Sequence, residues 1–441
     1  MRRSMLPLIL MAALLLVVQS RPIAAAESVT SADAASSEVA SSWFELLYDI
    51  VKEQAVPPPQ ASRIYGITSV ALYESIVPGT ELNRSLVGQL NGLIHLPQPN
   101  KKLLHWPTVA NTTLANTIRG VFPNLSSVSL YNIKSLELSF ANRFKGSVPV
   151  NTYNQSVARG HAVAAGILSW ASGDGFSMNN NCPYIPAPVP GAWQPTPPAF
   201  NPNPLQPCWG FLRPMVLTSG SECPPVAHPA FSTTNGSDFY AAALEVYNIG
   251  LGLTDEQKLI AIYWADGPGA TGTPPGHWIA IVSQIAQNDR LSLARAAEAY
   301  ARVGIAVHDA FIACWNAKYA TNLQRPVTYI RQNINASWTP FIGTPNFPTY
   351  TSGHSTQSGA AAAVLTQMFG IKRFVDTTHT DHGLTPALSP RTFDSFDEAS
   401  AEAAVSRLYG GIHYSFDNNN GLTCGQCIGQ KIQERVSFST N

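Results

Sequence analysis

The chain has 441 residues, in which 27 basic residues balance 27 acidic ones. Charged residues make up only 12% of the chain, about half of the share that soluble proteins usually carry. Because nucleic-acid-binding proteins concentrate basic residues, this balance excludes nucleic acid as a partner. The length is sufficient for roughly two or three domains' worth of buried core.

The first 26 residues have the pattern of a secretory signal peptide, with Arg2 and Arg3 before an apolar run over 5–18 and small residues at 24–26. No later stretch has the roughly 18 uncharged apolar residues of a membrane span, so we expect none. We therefore predict a secreted, extracellular protein. Six Asn-x-Ser/Thr sequons fit this export route and predict a glycoprotein; they begin at Asn83, Asn111, Asn124, Asn154, Asn235 and Asn335.

Six cysteines in an oxidising compartment predict disulfide bonds, and all of the roughly 15 possible pairings remain open. Cys424 and Cys427 have the spacing of a redox pair, but they open a helical pattern instead of following a strand, so we favour structural bridging. Zinc is disfavoured because no second Cys/His pair stands at zinc-finger spacing. The other cysteines are Cys182, Cys208, Cys223 and Cys314.

Residues 27–178 are predicted to form an N-terminal helical half, because apolar residues recur there at spacings of three and four. The helical patterns run near 41–54, 60–77, 108–121, 126–145 and 150–172. A connector over 179–229 follows, in which ten prolines between 183 and 207 argue against both helix and central strand. We predict that this long connector is ordered and held by cysteines.

A C-terminal helical half is predicted over 230–441. Thr254 and Gln257 have the spacing of a capping box before an apolar run that continues to Trp264. Further helices are predicted near 276–287, 291–321, 354–369, 395–409 and 419–436. The predicted fold class is all-α, with two packed helical bundles and the chemistry in the second.

The first of three motifs in this half is Lys318-x6-Arg325-Pro326. Seven residues make nearly two helical turns, so Lys318 and Arg325 would share one face if the helix continued until Pro326 ended it. An ammonium and a guanidinium are complementary ways to hold an oxyanion. The alternative is a solvated basic helix end.

The second motif is Ser352-Gly353-His354, which precedes an alanine-rich helical stretch. Backbone N–H groups at a helix start favour anions, the glycine permits close approach, and Ser352 can donate its hydroxyl hydrogen. His354 would then exchange a proton with the bound oxyanion. The alternative is an ordinary helix cap.

The third motif is Ser406-Arg407-x5-His413-x3-Asp417. Arg407 adds a second guanidinium, and Asp417 can accept one imidazole proton so that the other nitrogen of His413 becomes more basic. His413 would then coordinate a metal-centred oxyanion or attack phosphorus. A surface His/Asp pair near a turn is the alternative, but the three motifs together predict an oxyanion cage flanked by histidines.

These motifs resemble the three-part signature of the phosphatidic acid phosphatase type 2 / vanadium-dependent haloperoxidase superfamily, which reads Lys-x6-Arg-Pro, Pro-Ser-Gly-His and Ser-Arg-x5-His-x3-Asp. Thr351 is the one departure, since the signature has proline there. Because that proline shapes the loop, we expect altered rigidity and no lost ligand. The resemblance implies that the equatorial oxygens of vanadate or phosphate are held by Lys318, Arg325, Ser352, Gly353 and Arg407.

The resemblance also implies that His354 is the acid/base residue and that His413 is either the axial ligand of vanadium or the nucleophile. Trp315 and Phe347 are similar to positions of the halide pocket in secreted haloperoxidases. Asp266 is similar to an acidic residue that pairs with an arginine of the cage. As alternatives, the two aromatic residues belong to the core and Asp266 is a turn residue.

Two enzymatic hypotheses follow. The first is a secreted vanadium-dependent haloperoxidase, which uses vanadate as cofactor and oxidises halide with hydrogen peroxide to hypohalous acid. The alternative is a secreted acid phosphatase, which needs no cofactor and acts on small phosphate esters through a phosphohistidine. A third possibility is a binding or wall protein that kept the fold and lost turnover, but the intact cage argues against it.

Outside the motifs, four histidines receive plainer interpretations. His308 is predicted to be a buried, hydrogen-bonded residue of the long helix, and His277 to shape the pocket. A metal site at His379 and His382 is disfavoured, because no further ligand stands at helical spacing.

Overall fold

The computed structural model describes residues 31–98, 104–185 and 189–440, so the predicted signal peptide lies outside the described residues. The first half contains the helices α1 Glu38–Glu53, α2 Pro58–Ile76, α3 Trp106–Val121, α4 Ser127–Lys145, α5 Val150–Ser172 and α6 Phe176–Asn179. The second half contains α7 Asp238–Leu251, α8 Asp255–Tyr263, α9 Thr273–Asn288, α10 Leu293–Thr321, α11 Pro326–Asn333, α12 Gly353–Phe369, α13 Thr378–Asp381, α14 Phe396–Tyr409 and α15 Ser415–Arg435. Strands β1 Phe374–Asp376 and β2 Arg391–Phe393 pair antiparallel, with Val375 opposite Thr392.

Side-chain caps explain where several helices begin. Thr254 and Gln257 form the predicted reciprocal capping box of α8. Ser292, Ser352 and Ser395 accept backbone N–H groups in the first turns of α10, α12 and α14. Each such bond satisfies a backbone donor that has no partner within the helix.

The predicted all-α fold is confirmed, and the predicted helices match the observed ones to within a few residues at most ends. The sequence interpretation missed α7, α11, the four-residue helices α6 and α13, and the two short strands. Ser237 caps α7, because its hydroxyl accepts the Tyr240 N–H at 3.3 Å. This local signal is not visible in the spacing of apolar residues.

The long helix α10 lies at the centre of the core. It packs against α2 from the first half and against α12 from the second, and α12 also packs against α15. Small residues allow α2 and α10 to approach closely, since a Cβ at Gly66 would lie 3.0 Å from the Gly304 carbonyl oxygen. One hydrophobic core therefore continues through both halves. The predicted boundaries between the N-terminal half, the connector and the C-terminal half stay predictions.

The end of α10 differs from the prediction. The helix stops at Thr321, and Asn322 adopts a left-handed conformation with φ of 50°. Arg325 is the N-cap of α11, and Pro326 is its first residue. The prediction that Lys318 and Arg325 share one helix face, and that Pro326 ends that helix, is therefore wrong. Proline suits the first helical position because that residue needs no N–H partner.

Over its described residues 180–185 and 189–229, the connector is irregular, as predicted, apart from a short 3-10 turn at Trp209–Phe211. Disulfide bonds join Cys182 to Cys208 and Cys223 to Cys427. Structural bridging is thus confirmed for Cys427 and wrong for Cys424, which forms no disulfide bond. Among the described residues, the free cysteines are Cys314 and Cys424, and both are buried.

Buried Asp309 of α10 also holds the connector. Its carboxylate oxygens accept the backbone N–H groups of Met215, Val216 and Leu217 at 2.6, 2.8 and 2.9 Å. The Nδ1 atom of His308 lies 3.1 Å from Asp309 Oδ1. The predicted role of His308 as a buried, hydrogen-bonded residue is therefore confirmed.

One of the six sequons lies inside the protein. Asn111 is 2% exposed, its amide donates to the Glu137 carbonyl at 3.1 Å, and its Oδ1 accepts from the Trp43 indole at 2.9 Å. A glycan on Asn111 is incompatible with this packing, so the prediction is wrong at this position. Across 31–98, 104–185 and 189–440, none of the helices combines the length and the apolar character needed to cross a membrane.

We expect loss of the Cys223–Cys427 disulfide to destabilise the protein more than loss of Cys182–Cys208, because its residues are 204 positions apart against 26. Constraining the longer loop removes more entropy from the unfolded chain. Replacing both members of each pair by serine should lower the free energy of unfolding by about 5 and about 3.5 kcal/mol, respectively. Urea unfolding measures both values, and a reversed order would contradict this explanation.

Candidate active site

A cavity of about 1060 Å³ brings distant parts of the chain together. Motif residues on one part of its lining are Gly353, His354, Arg407 and His413. The connector contributes another part, with Asn180, Asn181, Cys182, Pro183 and 203–207. The second and third motifs therefore meet at one cavity, and the first motif reaches it through contact between Arg325 and His413.

His413 is held as a neutral imidazole with a defined tautomer. Its Nδ1 lies 2.8 Å from Asp417 Oδ2, as predicted, and its Nε2 lies 3.1 Å from Arg325 Nη1. Because a guanidinium only donates, Nε2 is the acceptor and the ring proton is on Nδ1. Burial lowers the pKa of His413 well below its usual range, and the charge of Arg325 lowers it further. Nε2 is thus unprotonated at neutral pH, and its lone pair accepts from Arg325.

Asp417 is fully buried, and burial raises its pKa. Three donors oppose this effect at Oδ2, namely the Thr349 hydroxyl, the Tyr414 N–H at 3.1 Å and His413 Nδ1. Such convergence of donors favours the carboxylate form. Asp417 therefore orients His413 and keeps the ring proton away from the cavity.

Arg325 is fully buried and binds mainly to the backbone. Its Nε donates to the Phe347 carbonyl at 2.7 Å and its Nη1 to the Ile412 carbonyl at 2.9 Å. The remaining nitrogen, Nη2, is buried without a partner. Burial lowers the pKa of Arg325 to about 9, so the guanidinium stays charged at neutral pH.

Lys318 is also fully buried, and its Nζ donates to three carbonyls of one loop. These belong to Pro348 at 3.0 Å, Thr349 at 2.9 Å and Thr351 at 2.5 Å. Burial lowers the pKa of Lys318, but three acceptors require three N–H donors, which only the ammonium form supplies. The carbonyl of Thr351 is thus in place although the signature proline is absent.

Ser352 and Gly353 lie at the start of α12. The Ser352 hydroxyl accepts the Ser355 N–H at 3.3 Å, so the capping interpretation holds. This bond uses a lone pair and leaves the hydroxyl hydrogen available. A Cβ at Gly353 would lie 3.6 Å from Trp315, which is an ordinary contact. Packing therefore does not require glycine, whereas close approach of a ligand to the backbone does.

Arg407 and His354 complete the motif residues on the cavity. Arg407 Nη1 donates to the Trp264 carbonyl at 2.7 Å, and Nε is buried without a partner. Burial lowers the pKa of Arg407 to about 10, which leaves it charged. His354 keeps part of its surface exposed, but its Nε2 is buried and unpaired. Burial, followed by the charge of Arg407, lowers the pKa of His354 well below its usual range.

Asp266, on the same cavity, does not hydrogen-bond to Arg407. Its Oδ2 lies 3.0 Å from His277 Nδ1, and its Oδ1 is buried without a partner. The Asp266 charge nevertheless raises the pKa of Arg407, against the larger effect of burial. The resemblance is thus supported electrostatically and not by a direct contact.

Trp315 and Phe347 line the cavity and also belong to a small hydrophobic cluster, so both interpretations of these residues apply. Their ring centroids are 5.0 Å apart. The Phe347 centroid lies 5.1 Å from Lys318 Nζ and 4.7 Å from Arg325 Cζ. Aromatic faces at such distances favour the nearby cations.

The sequence interpretation missed two residues that support the site and understated a third. Thr349 binds both His413 and Asp417 from a loop, and Asp376 binds His277 from β1. His277 was expected only to shape the pocket. No periodic pattern marks such contacts, because they join residues far apart in the sequence.

The arrangement fits a small tetrahedral oxyanion. Arg325 Nη2 and Arg407 Nε are donors without a protein partner, and His354 Nε2 is also unpaired. Buried polar groups usually have a partner in the protein, in ordered water or in a ligand, so an oxyanion in the cavity is one group that could pair these atoms. The donor set suits an anion better than a bare cation. Within the part of the chain that the structure describes, no group of three His, Cys, Asp or Glu side chains could hold a metal ion, and His379 instead contacts the Tyr263 carbonyl.

We expect the stability of the protein to fall as the pH drops below about 6.5, in part because of His354. The unfolded histidine then binds a proton, whereas the folded one, with its lowered pKa, does not. This contribution is at most about 1.4 kcal/mol per pH unit. Replacing His354 by glutamine should flatten the dependence, as measured by urea unfolding in phosphate-free buffer from pH 7 to 5. Parallel curves for the two proteins would contradict the assignment.

Comparison with known proteins gives a family match over the part of the chain that contains the three motifs. A family model described as the VCPO second helical-bundle domain matches residues 298–441. The solved structure of the first bacterial vanadium-dependent iodoperoxidase is 35% identical to this chain, with a TM-score of 0.85. That alignment covers 92% of this chain and 98% of the other.

Two further comparisons are more distant. The apo form of a bacterial vanadium-dependent chloroperoxidase is 16% identical, with a TM-score of 0.66 and coverage of 87% and 93%, and shares the fold. The vanadium chloroperoxidase of Curvularia inaequalis is 27% identical over 221 residues. This match spans 36% of each protein, so it reaches only about a third of that relative's length.

Proposed function

This chain belongs to the vanadium haloperoxidase family, and from that premise we propose that it oxidises halide with hydrogen peroxide to hypohalous acid, with vanadate as cofactor. Iodide is the first halide to test, because the solved structure that is 35% identical to this chain is that of an iodoperoxidase. We also propose that the protein is secreted. Membership of the family follows from the comparisons, whereas the proposed reaction is argued from the residues at the cavity.

The observation that carries the proposal is a set of buried cations, of which Arg407 lines the cavity while Lys318 and Arg325 lie behind its lining. Lys318, Arg325 and Arg407 are at most 3% exposed, and their hydrogen bonds go to backbone carbonyls and to His413. Isolated buried charges are costly unless a partner neutralises them. A bound oxyanion would supply that partner and would engage the unpaired donors.

When bound, vanadate would supply a Lewis-acidic centre that activates hydrogen peroxide toward a halide. The residues that would hold it are Lys318, Arg325, Ser352, Gly353, Arg407 and His413. The cations stabilise negative charge in a site that is already organised, so little reorganisation is needed. Ser352 and the Gly353 N–H add uncharged donors.

The two histidines divide the remaining tasks. His413 presents Nε2 toward the site because Asp417 holds its proton on Nδ1. His354 is neutral at neutral pH and can therefore accept a proton at Nε2 and return it. Trp315 and Phe347 place apolar surface beside these groups and limit the access of water.

Phosphate-ester hydrolysis is the second candidate, because an unprotonated His413 Nε2 with an Asp417 partner also has the form of a nucleophile. In that reaction Nε2 would attack phosphorus and His354 would protonate the leaving oxygen. Phosphate would occupy the same cage without a cofactor.

Two assays on the purified protein separate these reactions. We expect vanadate to stimulate halide oxidation by hydrogen peroxide, measured with iodide and bromide, and hydrolysis of an aryl phosphate to be absent. Ester hydrolysis that vanadate inhibits would select the phosphatase instead. Inactivity in both assays would point to a binding protein.

Replacing Arg407 by alanine should leave the fold intact and weaken vanadate binding at least about tenfold, because a charged donor is lost from a buried site. Equilibrium dialysis of the vanadium-free protein gives the dissociation constant. Arg302→Ala is the matched control, since Arg302 pairs with Glu298 on the same helix and does not line the cavity. Equal affinities for Arg407→Ala and the unaltered protein would contradict the role of Arg407.

A further inference from the structure

His277 on α9 is a fully buried histidine between two carboxylates. Its Nδ1 lies 3.0 Å from Asp266 Oδ2, and its Nε2 lies 2.7 Å from Asp376 Oδ2. Because carboxylates only accept hydrogen bonds, both ring nitrogens must carry hydrogen. Burial opposes this charge, but the two carboxylates raise the pKa of His277 to about 10. His277 is therefore an imidazolium.

The same ring supports the turn that holds Arg407. The Trp264 indole stacks on His277 at 4.3 Å with an interplanar angle of 19°. The Trp264 carbonyl accepts from Arg407 Nη1 at 2.7 Å. Asp266 follows two residues later with φ of 45°, a conformation that few residues adopt without support. One imidazolium thus contacts both residues that act on Arg407.

Asp376 fixes the other side of the imidazolium. Its Oδ1 accepts the Thr378 N–H at 3.0 Å and the Thr378 hydroxyl at 2.6 Å. These bonds anchor the carboxylate at the end of β1. Asp376 is not a cavity-lining residue, whereas Asp266 is. His277 is therefore the direct contact that links Asp376 to the cavity-lining Asp266.

We infer that His277 is a positioning residue, which aligns Asp266 and Arg407 for oxyanion binding and offsets the negative charge of Asp266. The inference rests on the proposed function only in requiring that the cage binds an oxyanion. Without the imidazolium, the Asp266 carboxylate would face the anion uncompensated and would be free to turn toward Arg407. Both effects weaken binding.

The test measures the dissociation constant of orthovanadate, by equilibrium dialysis of the vanadium-free protein. Replacing His277 by glutamine should raise it about 10- to 100-fold, as is typical for residues that orient direct ligands. His105→Gln is the matched control, because His105 is another buried histidine and its Nδ1 lies 2.8 Å from Thr108 Oγ1 in the first half of the chain. It should stay within about twofold, well under the change expected for a supporting residue.

A double variant distinguishes positioning from general packing. If His277 acts through Asp266, the variant with His277→Gln and Asp266→Asn should bind vanadate no more weakly than His277→Gln alone, since the uncompensated carboxylate is gone. Losses that add up independently, or an unchanged dissociation constant for His277→Gln, would overturn the inference.

Asp376→Asn provides the test if His277→Gln does not fold, because the amide oxygen can keep both Thr378 bonds. Weaker vanadate binding by this variant supports the inference, and unchanged binding overturns it. The assay requires no halide oxidation, so the two proposals fail separately. If the unaltered protein and the variants bind vanadate equally tightly, only the role of His277 is contradicted. If the unaltered protein binds no vanadate, the proposed function and the role of His277 are both contradicted.

Discussion

The site depends on the burial of three cations that the protein solvates mainly with its own backbone. Carbonyls of the loop at 347–351 accept from Lys318 and Arg325, and the Trp264 carbonyl accepts from Arg407. Carbonyl dipoles satisfy the N–H donors without cancelling the charge. The cage therefore stays electrostatically incomplete, and under the proposed function an anion of matching size would complete it. The carbonyls that accept from these cations lie in loops, so the loops as well as the long helices position the charged groups of the site.

Carboxylates act on the cage through neighbouring histidines. They leave one histidine neutral and another positively charged. His413 contacts one carboxylate and one guanidinium and is neutral, whereas His277 lies between two carboxylates and is charged. Burial disfavours charge on both rings, so the number of neighbouring carboxylates decides the outcome. The fold thereby keeps a lone pair at the cavity and a fixed positive charge behind it.

Much of the fold and of the donor set could be predicted from the sequence. Apolar spacing indicated most helices, the Thr254–Gln257 capping box marked the start of α8, and the spacing of His413 and Asp417 indicated their hydrogen bond. The geometry of the first motif could not be derived, because the left-handed Asn322 ends α10 and moves Arg325 to a new helix. The supporting roles of Thr349 and Asp376 were also missed, since contacts between distant segments leave no local pattern.

The most direct test of the cage is a crystal structure of the protein soaked in orthovanadate. The account predicts a single anion in contact with His413 Nε2, within reach of Arg407 and of the Gly353 N–H. An anion bound elsewhere, or none at this position at saturating vanadate, would contradict the claim that the buried cations exist to hold it.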